Sequence, residues 1–299
     1  MSISFQDKVA IVTGAGNGLG RSHAMELASR GAKVVVNDFG GSVDGHGGSA
    51  SPAEQVVEEI KANGGEAVAN PASVTDAAAV QQMVKDTVDR WGRVDILINN
   101  AGILRDKTFS KVSLEDFNAV VDVHLNGAII CSKAVWDQMI SQNYGRIVMT
   151  TSAAGLYGNF GQTNYAAAKL GAVGLMNALR LEGRKYNVRV NTIAPMAFSR
   201  MTKDLMAPGI AESCKPELVS SAVVFLCSDD APTGEIISAG AGAYTRVQYV
   251  EAEPVYIGPD ATADDVSDAW ENISDMSNAK VVTDVGTSMK NVLSKLPRK

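Results

Sequence analysis

Aromatic residues make up only 6% of this 299-residue chain, and cysteine is scarcer still. Cys131, Cys214 and Cys227 are odd in number and far apart. That excludes a disulfide framework, and the three read as buried small residues of a reducing compartment. His23, His46 and His124 show no ligand spacing, so no metal site is expected. There is no basic run, and the net charge is -6, which argues against nucleic acid as a partner. No apolar run approaches the length of a membrane span, so no membrane role is expected. The first residues lack the basic region and apolar core of a signal peptide. Ser294-Lys295-Leu296 spells a peroxisomal address, but Pro297-Arg298-Lys299 follow it, and the expected setting is the cytoplasm.

What is present is a core. With 45% hydrophobic residues, the chain has ample apolar material for one large α/β domain. Short apolar runs at Val9-Ala10-Ile11-Val12, Lys33 to Asp38, Glu66 to Ala69, Val94 to Ile98, Arg146 to Thr150, Val188 to Ile193 and Glu235 to Ser238 read as strands. Between them lie amphipathic stretches. One starts at Ser51, with Pro52 in the first turn and Glu54 completing a capping box. Another carries Val80, Met83, Val84, Val88 and Trp91 and stops at Gly92. A long helix is expected from Ser113 to about Ile140. Strands alternating with helices imply a Rossmann-type, doubly wound α/β fold: a parallel sheet of about seven strands with helices on both faces. Beyond Ala239 the alternation weakens. Residues 1–243 are expected to form the catalytic, nucleotide-binding domain, and 244–299 an extension packed on it.

The first strand runs into Thr13-Gly14-Ala15-Gly16-Asn17-Gly18-Leu19-Gly20 and then a helix. Glycines permit a tight turn and close backbone approach, and the helix N-terminus offers amide donors to a pyrophosphate. Gly14, Asn17, Gly18, Leu19 and Gly20 are therefore cofactor candidates. Asp38 ends the second strand, where a carboxylate accepts hydrogen bonds from the adenosine ribose and repels the 2′-phosphate of NADP. NAD is the expected cofactor. Asn99-Asn100-Ala101-Gly102 falls at the end of the fourth strand, where open α/β sheets bind ligands, although a purely structural turn fits as well.

Tyr165 and Lys169 lie four apart, on one helix face. An ammonium beside a phenol favours phenolate and lowers a pKa that is ordinarily near 10, which suits a general acid or base. By itself the spacing describes an ordinary surface pair. Ser152, at the end of the fifth strand, adds a hydroxyl before that helix.

Together, Thr13-Gly14-x-x-x-Gly18-x-Gly20, Asn99-Asn100-Ala101-Gly102, Ser152 and Tyr165-x-x-x-Lys169 resemble the short-chain dehydrogenase/reductase family, over roughly residues 5 to 240. Asn37-Asp38-Phe39-Gly40-Gly41, Ile103-Leu104-Arg105-Asp106, Gly158-Asn159-Phe160-Gly161-Gln162 and Leu181-Glu182-Gly183-Arg184-Lys185 are similar to one branch of it. That branch is the (3R)-hydroxyacyl-CoA dehydrogenase region of the peroxisomal multifunctional type 2 enzymes and its stand-alone bacterial relatives. The resemblance implies that Tyr165 takes the substrate hydroxyl proton and that Ser152 bonds the substrate oxygen. It gives Lys169 the nicotinamide ribose and a role in lowering the Tyr165 pKa. It makes Asn126 the holder of a relay water; a polar residue kinking the helix is the plain alternative. It also implies a homodimer or homotetramer formed through the long helices, and a separate enoyl-CoA hydratase supplying the substrate.

Two departures from the family pattern stand out. Pro71-Ala72-Ser73-Val74 offers no carboxylate to the adenine, which leaves the backbone of this stretch or Ser73 to bind it. Pro195-Met196 replaces the usual Pro-Gly, leaving Pro195 and Thr202 as nicotinamide candidates. Arg105, Lys107, Arg200 and Lys203 are candidate cations for an anionic CoA. Three readings remain open: a (3R)-hydroxyacyl-CoA dehydrogenase, a dehydrogenase of a steroid or other secondary alcohol, and a nucleotide-bound interaction protein without catalysis.

Overall fold

The computed structural model describes residues 2–49, 51–197 and 208–297. The chain runs β1 (Val9–Thr13), α1 (Gly18–Ser29), β2 (Lys33–Asn37), α2 (Ser51–Ala62), β3 (Glu66–Asn70), α3 (Ala77–Trp91) and β4 (Ile96–Asn99). It continues with α4 (Leu114–Val121), α5 (Gly127–Ser141), β5 (Gly145–Thr150), α6 (Ala153–Tyr157), α7 (Thr163–Gly183) and β6 (Val188–Met196). A short α8 (Pro208–Ala211), α9 (Pro216–Cys227), β7 (Ile236–Gly240) and β8 (Ala243–Val247) complete the sheet.

The strand order is β3-β2-β1-β4-β5-β6-β7-β8. β1 is apolar on both faces and fully buried, as a central parallel strand must be. Ile11 pairs with Val35 of β2 on one side and Leu97 of β4 on the other. On the opposite sheet face, Leu27 from α1, Val56 and Ile60 from α2, and Val219 and Val223 from α9 close over Val34, Ile98 and Val148. All three cysteines are free and buried. Among the described residues no helix is long and apolar enough to cross a membrane.

Three local features differ from the sequence expectation. The sheet has an eighth strand: Ala241 and Gly242, at φ 49° and 79°, make a two-residue turn that returns β8 antiparallel to β7. Ser51, expected as a cap, is already the first helical residue of α2. The long helix is not α-helical throughout, because a π-helical turn, Asp122–Asn126, lies between α4 and α5. Other punctuation agrees: Ser113 caps α4, and Gly92 ends α3 in the left-handed conformation; the N-cap of α3 is Asp76.

The chain divides into two compact units, Met1–Arg246 and Val247–Lys299. In the second, β9 (Val250–Glu251) pairs antiparallel with β10 (Lys280–Val281). Helices α10 (Ala263–Asp268), α11 (Trp270–Ile273) and α12 (Val285–Leu293) accompany them, with a Thr262–Asp265 capping box at α10.

Candidate active site

The strand order reverses between β1 and β4, and a cavity of about 530 Å³ opens at their carboxyl ends. Its walls include Gly14, Asn17, Gly18, Leu19, Gly20, Asp38, Ser73, Val74, Asn100, Ala101 and Gly102, all of them candidates from the sequence. The glycine turn is built for close approach. A Cβ at Gly20 would stand 2.2 Å from the Gly14 carbonyl oxygen and 2.5 Å from Asn100 Nδ2. Asn100 is what holds the turn: its Nδ2 donates to the carbonyls of Thr13 (2.9 Å) and Gly14 (3.1 Å). The Thr13 hydroxyl in turn accepts the backbone N–H groups of Asn100 and Ala101. The cradle and the exposed start of α1 suit a dinucleotide.

Asp38 accepts the N–H of Gly16 on one carboxylate oxygen and that of Gly40 on the other, each at 2.7 Å. The glycine-rich stretch after it forms part of the cavity wall through Phe39, Gly41, Ser42, Val43 and Gly45. It is pinned there: Leu104 N–H donates to the Val43 carbonyl and Arg105 Nε to that of Asp44. The loop after β4 is tied on its other side to α7, where Gln162 Nε2 donates to Asp106 and Asn164 Nδ2 to the Arg105 carbonyl.

Tyr165 and Lys169 share the α7 face that looks toward β5. Ser152 follows that strand and caps α6 by accepting Ala154 N–H, with its hydroxyl on the side of Tyr165. The tyrosine ring is half-buried, and desolvation pushes its hydroxyl up to about 12; the Ser152 hydroxyl lowers it and the Asp106 charge raises it. Lys169 is buried, with Nζ 5.5 Å from the tyrosine ring centre and donating to the Thr150 carbonyl at 2.8 Å. Burial brings its ammonium down to about 7. The expected lowering of the phenol by Lys169 is therefore absent from this geometry: desolvation of both groups dominates.

The family model for short chain dehydrogenase matches residues 8–207. The chain is a member of the short-chain dehydrogenase family. It is 48% identical over 98% of its length to peroxisomal multifunctional enzyme A of Dictyostelium discoideum, of which it spans 66%. It is 46% identical over 92% of its length to a short-chain type dehydrogenase/reductase of Mycobacterium tuberculosis, of which it spans 97%. Among solved structures, a 7α-hydroxysteroid dehydrogenase complexed with NADH and 7-oxo glycochenodeoxycholic acid superposes with a TM-score of 0.72 at 30% identity, over 80% of this chain and 95% of that one.

Not every residue expected of a short-chain dehydrogenase lies in the site. Asn126 does not join Tyr165 and Lys169; it is exposed, and its Nδ2 donates to Asp122 at 2.7 Å. The π-turn side chain that faces the tyrosine is His124, which sequence reading noted only for its lack of ligand spacing. Pro195 lies on β6 opposite Ala239 and, like Ser152, Tyr165 and Lys169, is not among the residues that line the cavity. Arg105 lines the cavity, and both it and Lys107 are paired with Asp116. Thr202, Arg200 and Lys203 lie outside the described residues.

Proposed function

We propose that the chain oxidises the hydroxyl of a (3R)-3-hydroxyacyl-CoA to the 3-keto thioester, with NAD as cofactor. The observation that carries the reading is the convergence of Ser152, Tyr165 and buried Lys169 at the carboxyl end of β5, with Lys169 one helical turn beyond Tyr165. NAD, when bound, supplies the acceptor for the substrate hydride. Tyr165 takes the hydroxyl proton as that carbon–oxygen bond becomes a carbonyl, and Ser152 steadies the oxygen whose charge changes. Gly14 to Gly20 would hold the pyrophosphate, Asp38 the adenosine ribose, and Lys169 the nicotinamide ribose. Asp38 favours NAD over NADP by charge, and the related hydroxysteroid dehydrogenase was solved with NADH. Identity to the multifunctional peroxisomal enzyme over nearly the whole chain supports the thioester substrate. The 30% identity to a hydroxysteroid dehydrogenase supports a second reading with a sterol alcohol. Exposed Ile129 on α5 and Leu170 and Leu181 on α7 suit a homo-oligomeric interface along those helices.

The test is NADH formation with NAD and a (3R)-hydroxyacyl-CoA, against the (3S) epimer and a 7α-hydroxysteroid. Turnover of the (3R) thioester that is lost in Tyr165→Phe while NAD binding persists is the expected result. Turnover of the steroid alone would move the chain to the second reading.

A further inference from the structure

The π-helical turn between α4 and α5 sends one polar side chain inward and another outward. Residues two apart on a helix point to opposite sides. Here the exposed one is Asn126, engaged with Asp122 on the helix surface, and the buried one is His124, 5% exposed. The widened turn is the device that makes room for it; such turns frequently mark functional sites.

His124 touches two parts of the site at once. Its ring stands edge-to-face with Tyr165, centroids 5.0 Å apart and planes at 89°. Its Nε2 lies 2.7 Å from the Ile103 carbonyl oxygen and 3.1 Å from the Ile103 backbone nitrogen, while Nδ1 has no partner. The oxygen is the nearer of the two, which fits the tautomer in which Nε2–H donates to it and Nδ1 carries the lone pair. Gly102 accommodates the ring edge: a Cβ there would come within 2.2 Å of His124 Cε1. Gly102 and Ile103 both line the nucleotide cavity. The imidazole is thus a bolt between the cavity wall and the tyrosine. Desolvation, helped by the Lys169 charge, keeps it neutral by holding its pKa well below the usual value. A second cation therefore does not arise beside Lys169.

We infer that His124, and not Asn126, is the positioning residue of the π-turn, setting the Tyr165 ring through its face contact and the Gly102–Ile103 cofactor wall through Nε2. This rests on the oxidoreductase reading above. Two variants of the full chain separate its two contacts. His124→Gln keeps an N–H donor for Ile103 and loses the ring. His124→Phe keeps the ring and loses the donor. NAD affinity is read by direct titration, kcat by NADH formation with the thioester, and folding by the thermal midpoint. In the Gln variant kcat is expected to fall about tenfold with the Kd for NAD within about twofold of the original chain. In the Phe variant Kd is expected to rise about tenfold with kcat within about threefold.

Unaltered kcat and Kd in both variants would overturn the inference, as would a loss of thermal midpoint alone or equal losses without the split. So would a collapse of kcat in Asn126→Ala with none in His124→Gln. Should the variants fail to fold, nitrogen NMR of the original chain reads the ring directly: a neutral, Nε2-protonated imidazole at neutral pH is expected, and the other tautomer or a charged ring contradicts the inference. If the original chain turned over no thioester, the oxidoreductase reading would fail separately, while the NAD titration of His124→Phe would still test the Ile103 contact.

Discussion

Asp38 holds Gly16 with one carboxylate oxygen and Gly40 with the other, so a single side chain joins the glycine turn after β1 to the glycine-rich stretch that walls the cavity. Hydrogen bonds to a charged acceptor contribute roughly 1.5–3 kcal/mol each. Asp38→Ala removes both, together with the ribose acceptor. NAD affinity is expected to fall by about tenfold to a hundredfold, and the discrimination against NADP to shrink in the same variant. Titration with both nucleotides checks this, and unchanged discrimination would remove Asp38 from the ribose site.

Gly20→Ala tests the turn sterically. The new methyl group would meet the Gly14 carbonyl oxygen at 2.2 Å, and backbone cannot rotate aside as a flexible side chain would. Overpacking of this kind costs about 1–3 kcal/mol. The displaced element is the cradle itself, so the thermal midpoint and NAD binding are expected to fall together. A variant that bound NAD normally would show that the turn is not the pyrophosphate site.

Most of this architecture is legible in the residues because each strand of a doubly covered parallel sheet must be apolar on both faces, and Val9 to Val12 and Ile96 to Ile98 declare themselves so. The glycine turn and Asp38 are legible because strand, turn, helix, strand and acid come in a fixed order. The π-turn leaves no such mark: a single extra residue shifts the phase of a helical pattern too little to stand out within one long helix. The resemblance assigns the relay role to Asn126, whereas the fold turns His124, two residues away and on the opposite side, toward Tyr165. Likewise Gly40 to Gly48 declares a loop but not its destination, which depends on contacts with Val43 and Asp44 made by a loop some sixty residues later.

Arg146 offers a control remote from the cavity. It is 1% exposed on β5, stacks on Tyr144, and donates to the carbonyls of Ser228 (2.8 Å) and Asn187 (2.9 Å). Arg146→Met retains much of the volume and strands those buried acceptors, each at a cost of about 1–3 kcal/mol. Urea unfolding is expected to show a loss of several kcal/mol. NAD affinity in the folded fraction is expected to hold. A stability change below about 1 kcal/mol would mean that water reaches the carbonyls freely.

Lys169 makes stability depend on pH with a definite sign. Its amine is about 7 in the folded chain, lowered from 10.5 by burial. Between those values the unfolded chain binds the proton and the folded chain has released it, so stability rises with pH across the window. The slope from this group is at most about 1.4 kcal/mol per pH unit. Tyr165 acts oppositely: raised from 10 to about 12, it keeps its proton in the folded chain while the unfolded phenol ionises, which lowers stability above pH 10. A rise from about 7 toward 10 followed by a fall is the expected contribution of the pair. Lys169→Met should flatten the rising limb and leave the Tyr165 limb in place. Urea unfolding across that range, on the original chain and the variant, checks it. An unflattened limb in the variant would assign the buried proton to another group and return Lys169 to an ordinary charged state.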